Sequence, residues 1–164
     1  MPADAVHEYT TEIAATPLDC FKAVVDFDAY TSWSSPIERV VVLERDEAGI
    51  GRIVEFHANM RVRTVRYVLE YRYRKPGELT WRSVDGDVAS IEGSYHFVRR
   101  ADKNTDATCQ QAIDLGFWVP GTLRKLAERT ALRQSVLEFK EEVERRVASK
   151  PAKREGGQRQ RLRA

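Results

Sequence analysis

The sequence predicts an α+β fold in which a curved antiparallel sheet of seven strands wraps around one long C-terminal helix. Three observations carry this reading. Residues 37–115 are a nearly unbroken series of short β-rich runs joined by local turns, the pattern of an antiparallel meander. One separate strand and two short helices precede that series. A single helix free of interior Gly and Pro follows it from 122 to 147, about 39 Å long at about 1.5 Å per residue.

Taken in order, residues 7–14 alternate, with Tyr9, Thr11 and Ile13 on one face and Glu8, Thr10 and Glu12 on the other, which marks a half-buried strand. Thr16-Pro17-Leu18-Asp19 opens a helix: Thr16 can cap it, Pro17 suits the first helical position and Asp19 completes a near capping box. Leu18, Phe21 and Val25 continue it at helical spacing. The aromatic-rich segment 26–33 forms a second short piece and ends before Pro36, because proline disfavours helix in the residue preceding it. Strands are then expected at 37–45, 52–60, 63–74, 79–84, 89–100 and 107–115. Gly49 and Gly51, Lys75-Pro76-Gly77, Asp85-Gly86-Asp87 and the polar stretch 101–106 mark turns between them. In the last helix Leu132, Val136, Phe139, Val143 and Val147 share one face, while Leu123, Leu126, Ala127 and Thr130 form the stripe of its first half.

A chain of 164 residues, 42% hydrophobic and 32% charged, suits one domain with a core that needs neither disulfides nor metal. No apolar run approaches the roughly 18–20 residues that span a bilayer. The start, MPADAVHEYTTEIAA, lacks the basic run and apolar core of a secretory leader, so the expected location is cytoplasmic. The net charge of +2 is uneven. Residues 150–164 hold six Lys/Arg and one Glu, which leaves 21 basic and 24 acidic side chains, net −3, in 1–149. The reading is therefore a mildly acidic folded domain, 1–149, and a basic disordered tail, 150–164. An acidic body argues against nucleic acid as a partner, whereas the tail's charge allows weak contact with anionic membrane surfaces. The oligomeric state stays open between monomer and homodimer.

Other chemistries find little support. Cys20 and Cys109 are far apart and suit buried thiols. His7, His57 and His96 are scattered, with no HExxH and no carboxylate at ligand spacing, so no metal site is expected. Gly49 and Gly51 lack the rest of a phosphate-binding loop, no GxSxG elbow is present, and Ser34 and Ser35 read as turn residues. No cofactor is expected. What the order of elements does imply is a hollow. A sheet with one apolar face must bury it, yet one helix about 10 Å wide does not fill the concavity of seven strands. A gap is expected, closed by the short helices and by residues 116–121, and such gaps hold small molecules.

Several motifs in this order resemble the START-like superfamily, in particular its polyketide cyclase/dehydrase-like branch. They are Ala15-Thr16-Pro17 with Phe21, Asp26 with Tyr30 and Trp33, Leu79-Thr80-Trp81, Glu92-Gly93-Ser94-Tyr95 with Phe97, and Asp114-Leu115-Gly116 with Val119-Pro120-Gly121. They span about 9–148. The resemblance implies a helix-grip fold and a cavity for a hydrophobic ligand, but no particular reaction, since the superfamily holds enzymes, carriers and sensors.

Candidate ligand-binding residues follow from the strand faces. Tyr67, Tyr71 and Tyr73 share one face, as do Tyr95 and Phe97, and Val54, Phe56, Ala58 and Met60. Tyrosines on a buried wall need hydrogen-bond partners, which a ligand oxygen can supply. Trp33 and Trp118 are expected to flank the mouth, Trp81 to form wall, and Leu123, Leu126 and Thr130 to face the hollow from the helix. The main functional expectation is binding or transport of a lipid, polyketide or isoprenoid-like molecule. The alternative is a polyketide cyclase, aromatase or dehydratase, for which His57, Tyr67, Tyr71, Tyr95 and Arg66 are the acid/base candidates. Arg66 and Arg72 oppose the tyrosine face and reach a ligand only if a bulge reverses the faces. A protein-interaction module is a third class.

Overall fold

The chain runs β1 (His7–Ile13), α1 (Pro17–Val24), a 3-10 turn (Phe27–Ala29) and α2 (Tyr30–Trp33) before its meander. The meander is β2 (Ile37–Arg45), β3 (Gly51–Asn59), β4 (Thr64–Arg74), β5 (Glu78–Gly86), β6 (Ser90–Arg99) and β7 (Thr105–Asp114), followed by α3 (Gly121–Ala148). The computed structural model describes residues 6–61, 63–118 and 120–150, and of Leu123 the backbone alone. All seven strands join one antiparallel sheet in the order β1-β7-β6-β5-β4-β3-β2. Each meander strand pairs with its successor, and β1 closes the far side against β7. With the long helix across it, this is the helix-grip α+β arrangement.

Local chemistry sets the elements. Thr16 Oγ1 accepts from the Asp19 N–H at 3.2 Å while the Asp19 carboxylate accepts from the Thr16 N–H at 3.3 Å, so the capping box is complete. Lys150, assigned from sequence to the tail, instead donates to Asp19 at 2.9 Å and ties the end of the described chain to α1. The rest of the expected tail, 151–164, lies outside the described residues.

The second half of α3 packs as its periodicity requires. Leu132, Val136, Phe139 and Val143 are all at most 4% exposed, each burial stabilising by about 1.5–3 kcal/mol. The first half differs from expectation: Leu126 is 62% exposed, and Ala127 and Thr130 face solvent too. The buried face continues toward the N-terminus through Glu128, four residues before Leu132, so the two-residue offset of Leu126 and Thr130 turns them away. Polar contacts fix the other end of α3. Glu144 accepts from the Ala14 N–H at 2.9 Å, Lys140 donates to the Glu12 carbonyl, and Arg146 bridges Glu142 at 2.6 Å and Asp26 at 3.0 Å. Among the described residues no helix is long and apolar enough to cross a membrane.

Candidate functional site

Unbroken register between β3 and β4 keeps the alternation intact, so Val54, Phe56 and Ala58 face inward together with Val65, Tyr67, Leu69, Tyr71 and Tyr73. Across the sheet Leu79, Trp81, Tyr95 and Phe97 extend the same face. The rings touch in a continuous wall: Phe56–Tyr67 centroids are 5.4 Å apart, Tyr71–Trp81 6.1 Å, Trp81–Tyr95 5.9 Å, and Phe139 meets Tyr95 at 5.2 Å and Trp33 at 5.9 Å. The gap expected between helix and sheet is thus occupied by aromatic side chains, which gain attraction from these edge-to-face and offset contacts.

Polar groups within this wall differ in how they are satisfied. The Tyr30 hydroxyl donates to the Val24 carbonyl and that of Tyr73 to the Gly51 carbonyl. Tyr67 and Tyr71 make no side-chain hydrogen bond among the described residues, and the Trp33 indole N–H is buried without a partner. Burial pushes the phenols of Tyr67, Tyr71 and Tyr95 up, so they stay protonated and act as donors. Burial likewise pushes the Cys109 thiol, beside Tyr95, up to about 12, which leaves it an inert neutral group.

A polar row crosses the inner face at one end. Trp81 lies opposite Gly93, Gly93 opposite Gln111, and Gln111 opposite His7. Gly93 is required here, because a Cβ at that position would sit 2.4 Å from the Trp81 ring. The indole passes over the glycine and donates to Gln111 Oε1 at 3.3 Å. His7 Nε2 meets Glu128 Oε2 of α3 at 2.9 Å, the two side chains being 17% and 11% exposed. His7, Gln111, Ile113, Glu128 and Leu132 enclose a recess of about 10 Å³. The second Glu128 oxygen and the Arg124 Nε, 3.9 Å apart, are buried without a hydrogen bond.

Sequence reasoning did not place His7, Gln111 or Glu128 in a site. The signals it had were a histidine at the start of a strand and a carboxylate on the buried line of α3. Other candidates land elsewhere. His57 and Arg66 stand on the outer face, His57 on Glu55 at 3.0 Å and Arg66 on Glu55 at 2.7 Å and Asp85 at 3.3 Å, because inward Phe56 and Tyr67 force their neighbours outward. Trp118 is 84% exposed at the rim. There Arg63 covers the Phe117 ring at 4.2 Å, and Gly116, at φ +78°, sits against Ala89. The side chain of Leu123 lies outside the described residues. A larger, open groove of about 370 Å³ is walled by Glu70, Arg72, Thr80, Trp81, Arg82, Glu92 and Gly93, four of the seven being charged side chains. Among the described residues no cluster of three or more His, Cys, Asp or Glu is arranged to hold a metal ion.

Comparison with known proteins agrees with this architecture. The family model described as polyketide cyclase/dehydrase and lipid transport matches residues 13–140. No curated protein matches the chain. Among solved structures, a START superfamily protein from Mycobacterium smegmatis superposes with a TM-score of 0.78 at 19% identity, over 85% of this chain and 97% of that one. A protein from Thermus thermophilus gives 0.75 at 20% identity over 88% and 99%. The Zhui aromatase/cyclase from a Streptomyces species gives 0.75 at 18% identity over 90% and 98%. At such identities the likeness is one of fold.

Proposed function

The chain belongs to the polyketide cyclase/dehydrase and lipid transport family, and from that membership we propose that it binds a hydrophobic small molecule between the sheet and α3. The ligand class is a lipid, polyketide or isoprenoid-like molecule. The observation that carries this reading is the indole N–H of Trp33, buried without a partner among the described residues, in a wall that also holds the hydroxyls of Tyr67 and Tyr71. An unpaired buried donor such as the Trp33 N–H costs about 1–3 kcal/mol, a cost that a ligand oxygen or water relieves. The rings pack closely, so a ligand enters by displacing them. Exposed Trp118 and Leu126 offer it apolar surface on the way in.

A second reading, a cyclase, aromatase or dehydratase acting on a poly-β-keto chain in the same place, is favoured by the His7–Glu128 pair. It puts a histidine and a carboxylate in contact on the inner face. Native mass spectrometry of protein purified from its own host, followed by displacement of the bound molecule with an apolar dye, tests both. A retained acyl or polyketide mass, unchanged on incubation, supports a carrier, and conversion of an added poly-β-ketone supports the enzyme. Absence of any saturable dye or lipid binding sinks the ligand-binding reading.

A further inference from the structure

We propose that the loop before α3 and the first half of that helix form a docking surface for an anionic lipid bilayer. Such docking is independent of what the interior binds. Trp118, 84% exposed, and Leu126, 62% exposed, are the two most exposed large apolar side chains among the described residues. Cations accompany both. Arg63 covers the ring of Phe117, next to Trp118, and Arg61 stands exposed in the same turn. Beside Leu126, the exposed Lys125, Arg129 and Arg133 succeed one another every four residues along one flank of α3. The ion pairs of this half of the helix, His7–Glu128 and Arg124–Glu128, leave those three free among the described residues.

The first fourteen residues of α3 hold Arg124, Lys125, Arg129 and Arg133 against Glu128 alone, whereas the last fourteen hold four glutamates against three cations. A helix macrodipole favours acids at the start, so this order costs the isolated helix stability, and a negative partner outside the molecule compensates it. Bordering carboxylates are already engaged: Asp85 pairs with Arg66, Asp87 accepts from the Arg66 N–H, and Asp114 accepts from the Gly116 N–H. A bilayer fits this surface better than a protein does. A stable protein interface buries a contiguous patch of about 800 Å² per partner. The headgroup zone of a membrane instead takes up single Trp and Leu side chains flanked by cations. The basic tail read from the sequence is a separate feature, since it follows Lys150 at the opposite end of α3, about 40 Å away at about 1.5 Å per residue.

The test uses the full chain and vesicles of phosphatidylcholine with or without about one-third phosphatidylserine. Sedimentation with the vesicles reads binding, and tryptophan emission reads insertion. Binding is expected on the anionic vesicles, with a blue shift, and should fall as salt rises from about 50 to about 300 mM. W118F keeps an apolar ring and should retain binding while losing the shift, because Trp33 and Trp81 pack against the core. W118A and L126S should each weaken binding about tenfold or more. The combined variant K125A/R129A/R133A should weaken it by about fivefold per cation. All these side chains are exposed, so the variants are expected to fold. Undiminished binding of the variants would assign the contact to the basic tail and overturn the docking surface. Binding without a blue shift, or no binding to anionic vesicles, overturns it as well. Polyglutamate that binds where vesicles do not would make the partner an acidic protein, and a dimer in light scattering that W118A dissolves would make it a second copy. Either result overturns the membrane assignment.

Discussion

Two tyrosines two residues apart on β4 differ in what their hydroxyls do. Tyr73 donates to the Gly51 carbonyl, whereas Tyr71 makes no side-chain hydrogen bond among the described residues. Removing a hydroxyl that is bonded within the protein loses about 1 kcal/mol, and removing one that waits for a ligand loses stability only slightly. Tyr73→Phe is therefore expected to lower unfolding stability by about 1 kcal/mol with little effect on affinity. Tyr71→Phe should weaken ligand binding and change stability by less than about 0.5 kcal/mol. Urea denaturation and dye displacement on the two variants check this, and equal stability losses would return Tyr71 to a purely structural role. Gly93 makes a separate case. An alanine there meets the Trp81 ring at 2.4 Å, so Gly93→Ala should cost about 1–3 kcal/mol and shift the tryptophan emission as the indole leaves Gln111.

At the scale of elements, α1 and α3 show how far a local pattern reaches. The capping box of α1 is written within four residues, Thr16 to Asp19, and forms as written. Thr16→Ala should cost about 1 kcal/mol in chemical denaturation. In α3 the apolar spacing from Leu132 to Val143 identifies the buried face correctly, since packing there is apolar against apolar. The same face then passes through Glu128, and a pattern of hydrophobic residues does not register a carboxylate whose partner, His7, is 121 positions away. Phe139→Ala should accordingly cost about 3–5 kcal/mol, while Leu126→Ala should stay within about 0.5 kcal/mol. Thermal melts of the two variants test the division of the helix. A large loss from Leu126→Ala would show that its first half packs after all.

For the molecule as a whole, carboxylates order the C-terminal end of α3: Glu144 accepts from the Ala14 N–H, Asp19 holds Lys150 just past the helix, and Glu142 pairs within the helix with Arg145 and with the Arg146 that reaches Asp26. Burial works to raise the carboxyls of Asp19, Glu142 and Glu144, but bonds from Lys150 and Thr16, from Arg146 and Arg145, and from the Ala14 N–H and Lys140 outweigh it. Each is held below its ordinary value, 3.8 for Asp19 and 4.5 for the glutamates. The unfolded chain thus takes up protons at these sites before the folded one does. Their contribution to stability is full above about pH 4.5 and is lost as pH falls through the depressed folded values. The melting temperature is expected to hold from neutral pH to about pH 5 and to drop below it, with a shallower drop in Glu142→Gln. A melting temperature that rises on acidification from pH 5 would contradict this assignment.

Periodicity along the chain was enough for the succession of meander strands, for the single long helix with its apolar second half, and for which side chains of β4 share a face. These follow from periodicity within one segment and from turn residues between segments, all of which are local. The sequence also held five ordered motifs sufficient to indicate the family that residues 13–140 match. Tertiary structure decided which polar groups meet. His57 and Arg66 were attractive as chemical types, but the pleat turns them outward onto Glu55. His7, Gln111 and Glu128 come from three elements and meet only once β1 has paired with β7 and α3 has crossed them. The filling of the hollow by rings was equally out of reach. It depends on how side chains from α2, α3 and the facing strands interdigitate, and close packing is a property of the assembled volume, which spacing along the chain does not specify.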